Sequence, residues 1–214
     1  NNRSTGNVGG IGAGGLYADN TLEMTGTQFI SNAAQIQGGG AYVAGAMSLN
    51  GGLFQNNTSI GSTGGGLYAA STLVLTGTQF LSNTASANGG GAYGAGVTNF
   101  TDVTVLSNTA TSGGGVWVGV GVFDGGLFQN NRSSSFGAGF WANGALTLSG
   151  TQVLSNTAGN SGGGGVVTNG IATLVDGVFQ DNLSSGGGSG GLYANSGATV
   201  TGTRFINNRG LNGG

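Results

Sequence analysis

The chain has 214 residues and contains no cysteine, proline, histidine or lysine. Without cysteine there is neither a disulfide framework nor a thiolate metal site. Charged residues make up only 5% and the formal net charge is −2, so a phosphate backbone finds almost no counter-charge and nucleic acid is excluded as a partner. The four arginines, Arg3, Arg132, Arg204 and Arg209, are scattered, and no basic amphipathic stretch is present to lie on an anionic bilayer. No apolar run approaches the roughly eighteen residues that would span one, so membrane insertion is not expected. What is abundant is glycine, 51 residues, beside a hydrophobic fraction of 37%. Those hydrophobic residues are regularly placed, which separates the chain from low-complexity disorder.

The regularity is a repeat. "GGGLYAASTLVLTGTQFLSN", residues 64–83, has near-copies starting at Gly14 and near the C-terminal end. Aligning the asparagines that close each unit gives Asn32, Asn57, Asn83, Asn108, Asn131, Asn156, Asn182 and Asn208, in steps of 25, 26, 25, 23, 25, 26 and 26 residues. Three residues before each stands an apolar residue: Phe29, Phe54, Phe80, Val105, Phe128, Val153, Phe179 or Phe205. Three before that stands Gly26, Gly51, Gly77, Asp102, Gly125, Gly150, Asp176 or Gly202. Nine residues further back an aromatic recurs as Tyr17, Tyr42, Tyr68, Tyr93, Trp141 and Tyr193, with Val167 as an exception and Trp117 one residue closer. Length changes are expected in one loop, between the asparagine and the next glycine cluster.

Within a unit the apolar residues alternate, as in Leu67 and Ala69 or Leu73 and Leu75, and period two means short strands. A period near 25 residues is that of a solenoid. The sequence therefore predicts one all-β domain over residues 1–214, a right-handed parallel β-helix of about eight turns with three short strands per turn, each pairing with its counterpart about 4.8 Å away. Proline has no place where both backbone groups are paired, and stacked charges would repel. Inward ladders are read as Leu16, Ala41, Leu67, Ala92, Val116, Phe140, Val166 and Leu192; as Met24, Leu49, Leu75, Phe100, Phe123, Leu148 and Val200; and as the phenylalanine column. The closing asparagines either stack as an amide ladder or individually occupy left-handed corners.

If Leu67 and Ala69 face inward, Tyr68 faces out, and the same parity makes Tyr17, Tyr42, Tyr68, Tyr93, Trp117, Trp141 and Tyr193 a candidate exposed aromatic ladder. Such rings can stack on one another, pack against another solenoid, or hold flat sugar faces. The inverted parity, with tyrosine inside, would remove the patch.

Chemistry is sparse. The acids are Asp19, Glu23, Asp102, Asp124, Asp176 and Asp181. Only Asp102 and Asp124 fall close in the register, and with no histidine or lysine beside them they read as corner residues rather than an acid–base pair. No catalytic residue, metal ligand or cofactor is assigned. "GIGAGG" at 10–15 matches a dinucleotide fingerprint but has no helix after it. "GNSGG" at 159–163 matches a nucleophile elbow, yet its serine has no histidine base. Thr25/Thr27, Thr76/Thr78 and Thr201/Thr203 form Thr-X-Thr pairs, but the rows are interrupted and cross a corner, which argues against a flat ice-binding face.

The "GGLY" and "GGAY" segments, each followed by "FLSN", "FQNN", "FQDN" or "FINN", resemble the GGA(I/L/V) and FxxN repeats of the chlamydial polymorphic outer-membrane proteins and related bacterial β-helix surface proteins. The resemblance covers essentially the whole chain; the present repeats differ by carrying tyrosine or tryptophan after the apolar residue. It implies an extracellular, cell-surface passenger-type β-helix, often adhesive. The expectation is a structural or adhesive module, a piece of a longer chain or a filament subunit, whose partners are further copies of itself, end to end or laterally, or another surface protein. Carbohydrate binding along the aromatic face is the alternative, and a polysaccharide-degrading β-helix enzyme the third.

Overall fold

The turn that begins at Leu67 shows how the repeat becomes a structure. Its strands are Leu67–Ala69, Leu73–Thr76, Gln79–Leu81 and Thr84–Ala85. Left-handed backbone at Gly77 (φ 56°), Ser82 (φ 55°) and Gly89 (φ 64°) separates them into a closed coil. Bending a chain three times per turn through that region is what demands glycine or a short polar residue. The turns thus carry the three expected strands and, after the asparagine, a further one of two to five residues.

The computed structural model describes residues 2–4 and 12–211 and stacks about eight such turns into a parallel β-solenoid. The described residues contain strands and no helix. Leu67 pairs with Ala41 on one side and Ala92 on the other, Phe80 with Phe54 and Val105, and Thr84 with Thr58 and Thr109. The pairings build one 14-stranded and two 8-stranded sheets. The first two strands of a turn share the larger sheet, and in Ala92–Thr101 and Val116–Asp124 they run together without a break.

Length changes do not all fall in one loop. The register between the strands Ala92–Thr101 and Val116–Asp124 shifts between Gly94 and Val97, so one residue is lost inside the sheet itself. This is why Trp117 stands one residue nearer its asparagine than the other aromatics do.

The core is a narrow column of like residues stacked on like. Leu49, Leu75, Phe100, Phe123, Leu148 and Leu174 are buried, as are Phe54, Phe80, Val105, Phe128, Val153 and Phe179. Volume is balanced between columns: where Leu75 gives way to Phe100 and Phe123, the neighbouring inward positions change from Leu73 to Thr98 and Gly121, keeping the interior close-packed. At the last described turns Val200 and Phe205 are 49% and 44% exposed, since no further turn covers them among the described residues.

One inward assignment is corrected. Gly165, not Val166, pairs with Phe140 and Leu192. The ring of Phe140 fills the space that a β-carbon at 165 would need. Val166 consequently takes the aromatic register, between Trp141 and Tyr193, and it is Val166 rather than Val167 that interrupts the aromatic series.

Candidate functional site

The asparagine column is a continuous amide ladder. Asn131 illustrates the pattern: its backbone N–H donates to Asn156 Oδ1 at 2.9 Å, and its Nδ2 donates to the same oxygen at 3.0 Å and to the Val105 carbonyl at 2.9 Å. Its own Oδ1 accepts from the backbone N–H and Nδ2 of Asn108. Both donors and both lone pairs of the side-chain amide are therefore used. The same bonds connect Asn32, Asn57, Asn83, Asn108, Asn131, Asn156, Asn182 and Asn208.

The left-handed corner belongs to the preceding residue: Ser31, Asn56, Ser82, Ser107, Asn130, Ser155, Asp181 and Asn207 have φ between 51° and 56°. That separation of tasks decides between the two readings of the column. One residue bends the chain and the next turns its amide into the stack. Asn2 is a further rung, donating through its backbone N–H and Nδ2 to Asn32 Oδ1 at 3.1 and 3.2 Å. It escapes an alignment on spacing because 30 residues separate it from Asn32.

The aromatic column has the outward parity expected, but its exposure differs from expectation. Tyr17, Tyr42, Tyr68, Tyr93 and Trp117 stack with ring centroids 5.1, 4.8, 5.0 and 4.5 Å apart and planes within 9° of parallel. The strand spacing imposes this stack, and it turns each ring face against its neighbour. Tyr42 is buried, at 7% exposure, and Tyr68, Tyr93, Trp117 and Trp141 are half-buried; Tyr17 and Tyr193, at 42% and 43%, are exposed. Burial raises the Tyr68 and Tyr93 phenols above the usual tyrosine value because the ionised form loses its hydration. The Tyr17 phenol is raised chiefly by donating a hydrogen bond to Asp19.

Trp141 and Tyr193 stand outside the stack. Trp141 instead meets Phe136 edge to face, with centroids 5.8 Å apart and planes at 71°. Its indole Nε1 is buried without a hydrogen-bond partner. Beyond it the register is taken by Val166, so no ring continues the column before Tyr193.

Asp102, Asp176 and Asp181 sit at left-handed corners, whereas Asp124 ends the strand Val116–Asp124. Asp102 and Asp176 have φ of 51° at the position held by glycine in the other turns. Their carboxylates reach over Gly125 and Gly202 of the following turn, where a β-carbon would collide with them. The Asp102 N–H donates to the Asp124 carbonyl at 2.9 Å, placing these two acids on adjacent turns. Among the described residues no three potential metal ligands gather. Of the "GIGAGG" match, residues 10–11 lie outside the described residues, and Gly15 donates to the Gly40 carbonyl as an ordinary member of the glycine corner. Ser161 of "GNSGG" is buried, at 8% exposure.

Neither a family model, a curated protein nor a solved structure matches the chain.

Proposed function

We propose that this chain is an extracellular structural or adhesive β-solenoid module of a bacterial surface protein, a rod extended by stacking end to end. The observation that carries this reading is the unbroken asparagine ladder from Asn2 to Asn208. From Asn57 to Asn182 each rung makes the same contacts to the turn before and the turn after, so the order of the molecule is axial. A further turn, covalently continuous or from another copy, would meet the Asn208 donors at one end and the Asn2 oxygen at the other. The likeness of the repeats to those of the chlamydial polymorphic outer-membrane proteins supports the surface assignment. Sugar binding along the aromatic face is less well supported, because the ring faces between Tyr17 and Trp117 are stacked against one another.

Electron microscopy of the purified chain over a range of concentrations tests self-assembly. Filaments with an axial repeat of about 4.8 Å are the result expected of a stacking subunit. Dispersed rods at all concentrations would eliminate self-assembly. Hydrolysis of a polysaccharide by the chain, lost in Asp102→Gly, would overturn the structural reading.

A further inference from the structure

Asparagine is followed by glycine at 50, 88, 143, 169 and 212, the last outside the described residues. Glycine has no β-carbon to shield its nitrogen, so at such a step the backbone nitrogen can approach the carbonyl carbon of the asparagine side chain. The sheets decide where it is free to do so. Gly51 N–H donates to the Thr76 carbonyl at 2.8 Å and Gly89 N–H to the Ser112 carbonyl at 3.0 Å, while the Asn50 and Asn88 carbonyls accept from Gly26 and Gly64. Both steps are pinned on either side by neighbouring turns.

Asn169-Gly170 is different. It lies at the corner between Gly165–Val167 and Ala172–Val175, and among the described residues no N–H or carbonyl of this step enters a backbone–backbone hydrogen bond. Asn169 is exposed, Gly170 is half-buried, and Ile171 beside them is 55% exposed. Asn143-Gly144, one turn earlier, is intermediate: the Asn143 N–H donates to the Val118 carbonyl at 2.9 Å and Gly144 is buried. Packing imposes the glycine at 170, since a β-carbon there would fall on the backbone of Ala145.

The Asn169 side chain is tethered by its Nδ2, which donates to Asn143 Oδ1 at 2.9 Å. This bond is exposed, and water can replace it at little net cost. The ladder asparagines differ on both counts: their amides are bonded from turn to turn and none of them precedes glycine.

We propose that Asn169 is a site of intramolecular deamidation, converted to aspartate and isoaspartate while Asn50 and Asn88 are protected by their ladders. The Gly170 nitrogen, giving its proton to hydroxide, bonds to Asn169 Cγ. The Cγ–Nδ2 bond then breaks, and the side-chain nitrogen takes a proton from water and leaves as ammonia. The succinimide so formed takes up one water, which opens either of its two carbonyl–nitrogen bonds. One opening restores the ordinary backbone as aspartate; the other routes the chain through the side chain as isoaspartate. Water is the sole co-reactant. The product adds one negative charge to a chain whose formal net charge is −2, and a carboxylate replaces the amide that donated to Asn143. This site does not depend on the axial stacking proposed above.

The test keeps the folded 214-residue chain in neutral and in mildly alkaline buffer. Samples taken over time are read, asparagine by asparagine, by peptide mass spectrometry with fragmentation that separates aspartate from isoaspartate. Conversion at Asn169 is expected to be at least about tenfold faster than at Asn50 or Asn88, where a ladder must open first. It should also precede conversion at Asn143 and rise with pH, because the nucleophile is the deprotonated nitrogen. In urea the steps at 50, 88, 143 and 169 should convert at comparable rates, since the protection comes from the fold. Conversion at Asn50, Asn88 or Asn143 as fast as at Asn169 in the folded chain, an Asn169 still amidated there once the unfolded chain has converted, or an equal preference for Asn169 in urea would overturn the proposal.

Discussion

Phe140 and Gly165 occupy the same register position on adjacent turns, and the phenylalanine ring fills the volume that a side chain at 165 would require. The pair acts as one unit of volume shared between two rungs. Gly165→Ala is expected to destabilise the chain by about 1–3 kcal/mol through overpacking, and Phe140→Ala by about 3–5 kcal/mol through a cavity. The double variant should lose less than the sum, by about 0.5–3 kcal/mol. Urea unfolding of the four proteins measures the coupling; strict additivity would separate the two residues.

Asn130 and Asn131 are neighbours with opposite tasks. Asn131→Ala removes the acceptor of two Asn108 donors and the donors to Val105 and Asn156, at roughly 1–3 kcal/mol for each buried group left unpaired. Asn130→Gly retains the left-handed corner at φ 56° and should change stability by no more than about 0.5 kcal/mol. Comparable losses in the two variants, read by chemical denaturation, would contradict the division between bending and bonding.

Asp102 offers a similar comparison. Asp102→Gly restores the residue found at this corner in most turns and should be neutral to within about 0.5 kcal/mol. Asp102→Ala keeps the β-carbon in the left-handed region at φ 51° but removes the carboxylate whose local hydrogen bonding lets aspartate tolerate it, and should be about 1–2 kcal/mol less stable than Asp102→Gly. Thermal midpoints of the two variants distinguish a corner residue from one held for its charge.

Alkaline pH should weaken the fold through its tyrosines. The Tyr68 and Tyr93 phenols have folded values raised above the ordinary 10.0, so the folded chain retains protons that the unfolded chain releases. Their contribution is fully present below pH 10 and is lost as pH rises through the folded values. Stability measured from pH 8 upward should decline beyond about pH 10, and Tyr68→Phe with Tyr93→Phe should flatten that decline.

Much of the fold was legible because a solenoid writes its contacts as a period. Aligning Asn57, Asn83 and Asn108 already places Phe54, Phe80 and Val105 over one another, and the alternation of Leu67, Tyr68 and Ala69 sets which side chains face the core. Where a turn compensates for its neighbour the period misleads. Val166 looks inward until the bulk of Phe140 is seen to require glycine at 165, and the residue missing between Val118 and Val120, opposite Gly94 and Val97, shows in the sequence only as the one-residue displacement of Trp117. Exposure was the least legible property of the candidate site: outward parity does not reveal that Tyr42 is covered or that stacking consumes the ring faces.

The amide ladder also gives the molecule an electrical direction. Each Oδ1 faces the preceding turn while an Nδ2 hydrogen reaches toward the next, so the side-chain dipoles add along the axis, whereas strand dipoles in a sheet largely cancel. Hydrogen bonds in such a series polarise one another. In a chain with 5% charged residues this column adds a polarity along the rod, with the amide oxygens directed toward Asn2 and the amide hydrogens toward Asn208, that neither composition nor net charge contains.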